Sequence, residues 1–117
     1  MEWLLVISLR IPWAFGAMEA LLRGLAADLG PAGVRVVGVR SGGMVDTRNI
    51  QQTFENVAHM LGISKAQVES QFAQRTLLKS IPTVADTAKV AAFLASDGAR
   101  TLTGAILNAS SGAAIDH

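Results

Sequence analysis

Apolar positions along the chain switch between short solid runs and longer stretches with a helical period. Residues 4–9, Leu-Leu-Val-Ile-Ser-Leu, are apolar and partly β-branched, which predicts a buried strand; Arg10, Ile11 and Pro12 break it. Over residues 13–29 the period becomes helical: Met18, Leu21, Leu22, Leu25 and Leu29 fall on one face, and Pro12 suits the first turn. Gly30 is expected to end this helix in the left-handed conformation, with Pro31 barring its continuation. Residues 34–39, rich in valine and bounded by turn residues, predict a second strand. After a polar loop, Asp46 or Thr47 is placed to cap a helix whose inner face is Ile50, Phe54, Val57 and Leu61, and Gly62 would end it. Ser64 with Gln67 forms a capping box for a short helix carrying Val68 and Phe72, and Thr83 with Asp86 repeats the signal. The helix opened there runs through residues 90–95 and is apolar nearly all round, so it is expected to lie buried against a sheet until residues 96–98 stop it. Residues 105–109 make a third strand.

The order strand, helix, strand, helices, strand argues for an α/β fold with a parallel sheet of two to three strands and flanking helices. The length of 117 residues suits one domain, and no repeat, linker or low-complexity tract divides it. Half the residues are hydrophobic (50%) and 16% are charged, a core-forming composition. A formal net charge of +1, with no basic run, offers no field for nucleic acid or an anionic membrane. There is no cysteine, which excludes disulfides, thiolate nucleophiles and cysteine-based zinc sites. The apolar N-terminal run is flanked by Glu2 and Arg10, unlike a signal peptide, and is far short of the ~20 apolar residues of a membrane span. A soluble, cytoplasmic chain is therefore expected.

Chemistry is expected beyond the carboxyl ends of the strands, where open parallel sheets bind ligands. The loop Arg40-Ser41-Gly42-Gly43-Met44-Val45-Asp46-Thr47 is such a place. Its glycines permit close backbone approach, and a helix N-terminus just beyond Thr47 suits a carboxamide or a phosphate. The plainer reading is a strand-to-helix turn in which glycine only makes the corner. Gly16, Ala20 and Gly24 form a stripe of small residues at i,i+4 spacing, suited to packing on the chain's own sheet or to a helix contact across a homodimer. His59 lies on a helix flank among polar positions, His117 is terminal, and no His/Asp/Glu cluster has metal-ligand spacing. Asp86 is read as a helix-start residue, and Lys65, Lys79 and Lys89 as solvated side chains.

Three stretches carry a family resemblance. Residues 19–36, EALLRGLAADLGPAGVRV, resemble the active-site helix of the short-chain dehydrogenase/reductases and the strand after it. Residues 43–47, GMVDT, are similar to the family's post-strand loop ending in threonine. The third runs from IPTVAD at residues 81–86 through AFLASD at 92–97 to Thr103 and Gly104. Together they cover most of the chain from Gly16 to Asp116 and identify it as the C-terminal half of a doubly wound, Rossmann-type domain, with residues 1–15 divergent. Val6, Ile7 and Ser8 are also similar to the family's strand before the active site, either because an intervening loop is deleted or by chance.

The resemblance implies a protein that transfers hydride between NAD or NADP and an alcohol or carbonyl substrate. It assigns the cofactor-binding role to Gly42, Gly43, Met44, Val45 and Thr47: the backbone of residues 43–45 would face the nicotinamide carboxamide, and the Thr47 hydroxyl would bond the carboxamide or a phosphate. Residues 48–80 would form the substrate side. The departures are specific. No Gly-x-x-x-Gly-x-Gly follows a strand, and the chain contains no tyrosine. The family's catalytic Tyr-x-x-x-Lys falls on Ile11 and Phe15, so no catalytic residue is assigned and no metal site is expected. The loss of that pair, together with Arg40-Ser41-Gly42-Gly43 in place of the usual Pro-Gly, is similar to a divergent branch of the family. The expectation is a fragment inactive by itself, which self-associates or docks to a full-length relative. The alternative is a non-catalytic dimerisation or interaction module on the same fold.

Overall fold

A computed structural model describes residues 4–8 and 12–113, with side chains from residue 16 onward. Strand β1 (Leu4–Ser8) is followed by helix α1 (Pro12–Leu29), strand β2 (Arg35–Arg40), helices α2 (Arg48–Leu61), α3 (Lys65–Gln74) and α4 (Val84–Ala95), and strand β3 (Ala105–Asn108). The three strands form one parallel sheet in the order β1-β2-β3, with Val6 beside Val37 and Val39 beside Leu107.

The sheet is covered on both faces, and the alternation of β2 shows how. Val36 points to one face and packs with Leu22 and Ala26 of α1. Val37 and Val39 point to the other, with Leu94 of α4 and Ala99. Every residue of β2 except Arg40 is buried, as a central parallel strand must be when helices lie on both sides. A third cluster, Phe54 and Ala58 of α2 with Val68 of α3, extends through Val45, Ile50 and Ile81 to the loop after β2.

Several local expectations need correction. Gly30 opens a 3₁₀ turn (Gly30–Ala32), and the left-handed residue is Gly33, at φ 79°. The proline at the start of that turn delays the reversal by one short turn rather than stopping the helix outright. Among the described side chains of α1 the buried ones are Leu22 and Ala26, whereas Leu21 is 54% exposed: the face is rotated because the strand beneath meets the helix along its 22–26 line. Leu61 on α2 is also exposed. Helix α4 buries Leu94 and partly buries Val90, but Val84 and Phe93 stand in solvent, so its all-round apolar character does not mean all-round burial.

Both predicted capping boxes are formed. Ser64 Oγ accepts from the Gln67 N–H at 3.1 Å while Gln67 Oε1 accepts from the Ser64 N–H at 2.9 Å. At α4, Thr83 Oγ1 accepts from the Asp86 N–H at 3.1 Å, and Asp86 Oδ2 accepts from the Thr83 N–H and hydroxyl, each at 2.9 Å. The Thr83 N–H first, then its hydroxyl, with a smaller contribution from the Lys89 charge, holds the Asp86 carboxyl below its ordinary value. A carboxyl depressed on folding contributes stability that is complete above the unfolded-state value and lost as pH falls through the folded one. Melting temperatures of the chain and of Asp86→Asn should therefore differ at neutral pH and converge below about pH 4; a difference that persists in acid would contradict this.

Candidate functional site

The carboxyl ends of β2 and β3 lie side by side, with Arg40 paired in register to Asn108 and the Ala109 N–H donating to the Arg40 carbonyl at 2.8 Å. The loops leaving these two strands therefore meet at one edge of the sheet. Gly42 takes φ 62°, and a β-carbon there would stand 3.3 Å from Ser110 Cβ. A β-carbon on Gly43 would press to 2.7 Å from Ile50 Cδ1. The two glycines thus do more than turn the corner: they keep this edge free of side chain where the loops converge. Ser110 is 1% exposed, and its hydroxyl donates to Asn108 Oδ1 at 2.5 Å, locking the floor of the edge.

Of the two candidate caps for α2, Thr47 fills the role: its Oγ1 accepts from the Ile50 N–H at 3.4 Å and donates to the Met44 carbonyl at 2.8 Å. Asp46 serves a different helix. Its Oδ1 accepts from the Val84 N–H at 2.8 Å and so caps α4, 38 residues on. The Val45 N–H donates to the Pro82 carbonyl at 2.8 Å, and Gln51 Nε2 donates to the Val45 carbonyl at 2.5 Å. The loop is consequently tied to the starts of both α2 and α4. The N–H groups of Gly42, Gly43 and Met44, by contrast, donate to no acceptor among the described residues. Of the five sequence candidates, Gly42, Gly43, Met44, Val45 and Thr47, the open donors therefore lie on Gly42, Gly43 and Met44. Thr47 keeps one unused lone pair, since its hydroxyl oxygen has two and the Ile50 N–H uses one.

Glu19 of α1 stands 4.0 Å from Arg23, one turn further along the helix. Its shorter ion pair is with Arg40 at the end of β2, with both side chains largely buried. That contact pins α1 to the strand end from which the loop departs; nothing local in the sequence signals it. Ile11 lies outside the described residues, as does the side chain of Phe15. His59 is exposed in the last turn of α2, and Lys65 pairs with Glu55 at 3.2 Å. Beside Val45 opens a groove of about 420 Å³ between α3 and residues 80–81. Among the described residues, no group of three or more His, Asp or Glu could hold a metal, and no helix is long and apolar enough to cross a membrane.

A parallel sheet covered on both faces, with its polar loops gathered beyond the carboxyl ends of the strands, defines a doubly wound α/β protein of the nucleotide-binding type. The chain belongs to the short-chain dehydrogenase/reductase family, matching over residues 14–114 the family described as enoyl-(acyl carrier protein) reductase. An uncharacterized oxidoreductase of Methylorubrum extorquens is 38% identical over 97 residues, 83% of this chain and 36% of that protein. A short-chain dehydrogenase family protein of Francisella tularensis superposes with a TM-score of 0.80 at 27% identity, covering 86% of this chain and 41% of that one. The N-domain of a bacterial malonyl-CoA reductase, solved with NADP, gives a TM-score of 0.66 at 27% identity over 86% of this chain and 20% of that one. The chain thus spans well under half the length of these relatives.

Proposed function

We propose that this chain is the nicotinamide- and substrate-side part of an NAD- or NADP-dependent oxidoreductase. The observation that carries this reading is the run of open N–H donors on residues 42–44, two of them on glycines without a β-carbon, with the Thr47 acceptor close by in sequence. A planar carboxamide needs that combination: donors for its oxygen, an acceptor for its N–H, and no β-carbon in the way. Gly43 and Met44 would donate to the carboxamide oxygen, and Thr47 would accept from its nitrogen. The bound cofactor would supply the hydride exchanged with an alcohol or carbonyl. The described residues around the loop hold its geometry: Asp46 and Val45 anchor it to the start of α4, and Gln51 and Thr47 to α2. Proton transfer finds no tyrosine in this sequence to carry it, so positioning is the work assigned to these residues.

The test is a titration of the isotopically labelled chain with nicotinamide mononucleotide, followed by amide chemical shifts. The expected response is concentrated at Gly43, Met44 and Thr47. A response spread evenly over the chain, or none at these amides, would overturn the reading.

A second reading, self-association through α1, is favoured by the small-residue stripe. Gly16, Ala20 and Gly24 are all exposed, and a β-carbon on either glycine would meet nothing within 4 Å. Among the described residues nothing packs on the two glycines of the stripe, and its partner on this reading is a second copy or a full-length relative. Gly24→Leu should then lower the sedimentation mass toward that of a monomer; an unchanged mass counts against it.

A further inference from the structure

The groove beside Val45 has a chemistry of its own. Its walls are apolar, formed by Val45, Ala66, Ala73 and Ile81, and its one charged lining residue among the described residues is Glu69. Glu69 is half-buried, and among the described residues its carboxylate has neither an ion pair nor a hydrogen bond. Nearby cations are engaged elsewhere. Lys65 pairs with Glu55 at 3.2 Å, the Arg75 guanidinium lies 5.5 Å from the centroid of the Phe72 ring, and Lys79 Nζ donates to the Gln74 carbonyl at 2.7 Å. The other polar lining groups are Ser70 and Ser80; the Ser80 hydroxyl donates to Ser111 Oγ at 3.4 Å, which leaves its lone pairs for a donor in the groove. A partly desolvated carboxylate without a partner favours a cation and disfavours an anion.

From these features we infer that the groove takes a small molecule bearing an ammonium group. The ammonium sits on Glu69 and the apolar body lies along Ala66, Ala73 and Ile81. Because Val45 belongs both to this groove and to the loop assigned to the nicotinamide, the substrate class that follows is an amino alcohol or amino ketone. That last step rests on the function proposed above; the charge preference of the groove does not.

The experiment compares three probes of one shape, cyclohexylamine, cyclohexanol and cyclohexanecarboxylate, each titrated at neutral pH into the labelled chain and read at the amides of Glu69, Ser70 and Ala73. The amine should bind about tenfold more tightly than the alcohol, the worth of one charge-assisted hydrogen bond, and the carboxylate most weakly. Glu69→Gln, isosteric on a helix surface, should bring the amine down to the level of the alcohol, and Ala66→Phe should block all three probes by filling the groove. Equal binding of amine and carboxylate, or an amine affinity unmoved by Glu69→Gln, overturns the inference. The two readings fail separately. An amine preference without any nicotinamide response at Gly43 and Met44 upholds the groove and overturns the nicotinamide site. The reverse pattern overturns the groove alone.

Discussion

Replacing Phe54 by alanine is expected to destabilise the chain by about 3–5 kcal/mol, the range for truncating a fully buried phenylalanine. Phe54 is 1% exposed and, among the described residues, is the largest fully buried side chain. Its ring lies 5.1 Å from that of Phe72, tilted by 59°, and it joins α2 to α3 through Val68. Among the described residues, the clusters on the two sheet faces contain α1 and α4 residues and none from α2 or α3. The loss should therefore appear first as faster amide exchange throughout α2 and α3, ahead of β2. It should also weaken the nicotinamide response at Gly43 and Met44, because Ile50 and Val45 belong to the same cluster. Urea denaturation together with amide exchange checks both parts; a loss below 1 kcal/mol would mean that this layer is not held by Phe54.

Arg35→Met is the second large effect, at about 3 kcal/mol, because it strands two carbonyls that now accept from a charged donor. Arg35 is 7% exposed at the start of β2, and its Nη1 donates to the Ala99 carbonyl at 3.1 Å and the Leu102 carbonyl at 3.4 Å. These carbonyls lie in the turn that carries the chain from α4 into β3. Methionine fills similar space, so a cavity contributes little and the measured loss reports the hydrogen bonds. The Val36 N–H, bonded to Thr103 Oγ1 at 3.1 Å, ties the same turn and should survive, leaving β3 in register but less protected from exchange. A denaturation midpoint unchanged from the parent would show that the turn holds itself.

What the sequence made legible was local. The Ser64/Gln67 and Thr83/Asp86 boxes span three residues each and formed as read, because a cap satisfies N–H groups within its own turn. The central strand was legible because burial on both faces leaves an unbroken valine-rich run. Helical faces were read less well. Periodicity places Leu21 and Leu22 together, but only contact with the strand decides that Leu22 and Ala26 are the buried pair. The capping of α4 by Asp46 and the ion pair of Glu19 with Arg40 join residues distant in sequence, and no local pattern announces either. At the candidate site, the glycines and Thr47 were legible as a motif. Which donors remain open was not, since that depends on Pro82 reaching back to the Val45 N–H.

If the loop after β2 holds the nicotinamide end of a cofactor, this chain should recognise that end and little else of the dinucleotide. The sequence has no Gly-x-x-x-Gly-x-Gly following a strand, the feature that seats a pyrophosphate on a helix N-terminus. The decisive measurement is a parallel titration of the 117-residue chain with nicotinamide mononucleotide and with intact NAD and NADP, read at Gly43, Met44 and Thr47. The expected result is weak binding of all three, with the same amides moving and closely similar affinities. Tight dinucleotide binding far above that of the mononucleotide, or dinucleotide binding that leaves these amides unmoved, would contradict it.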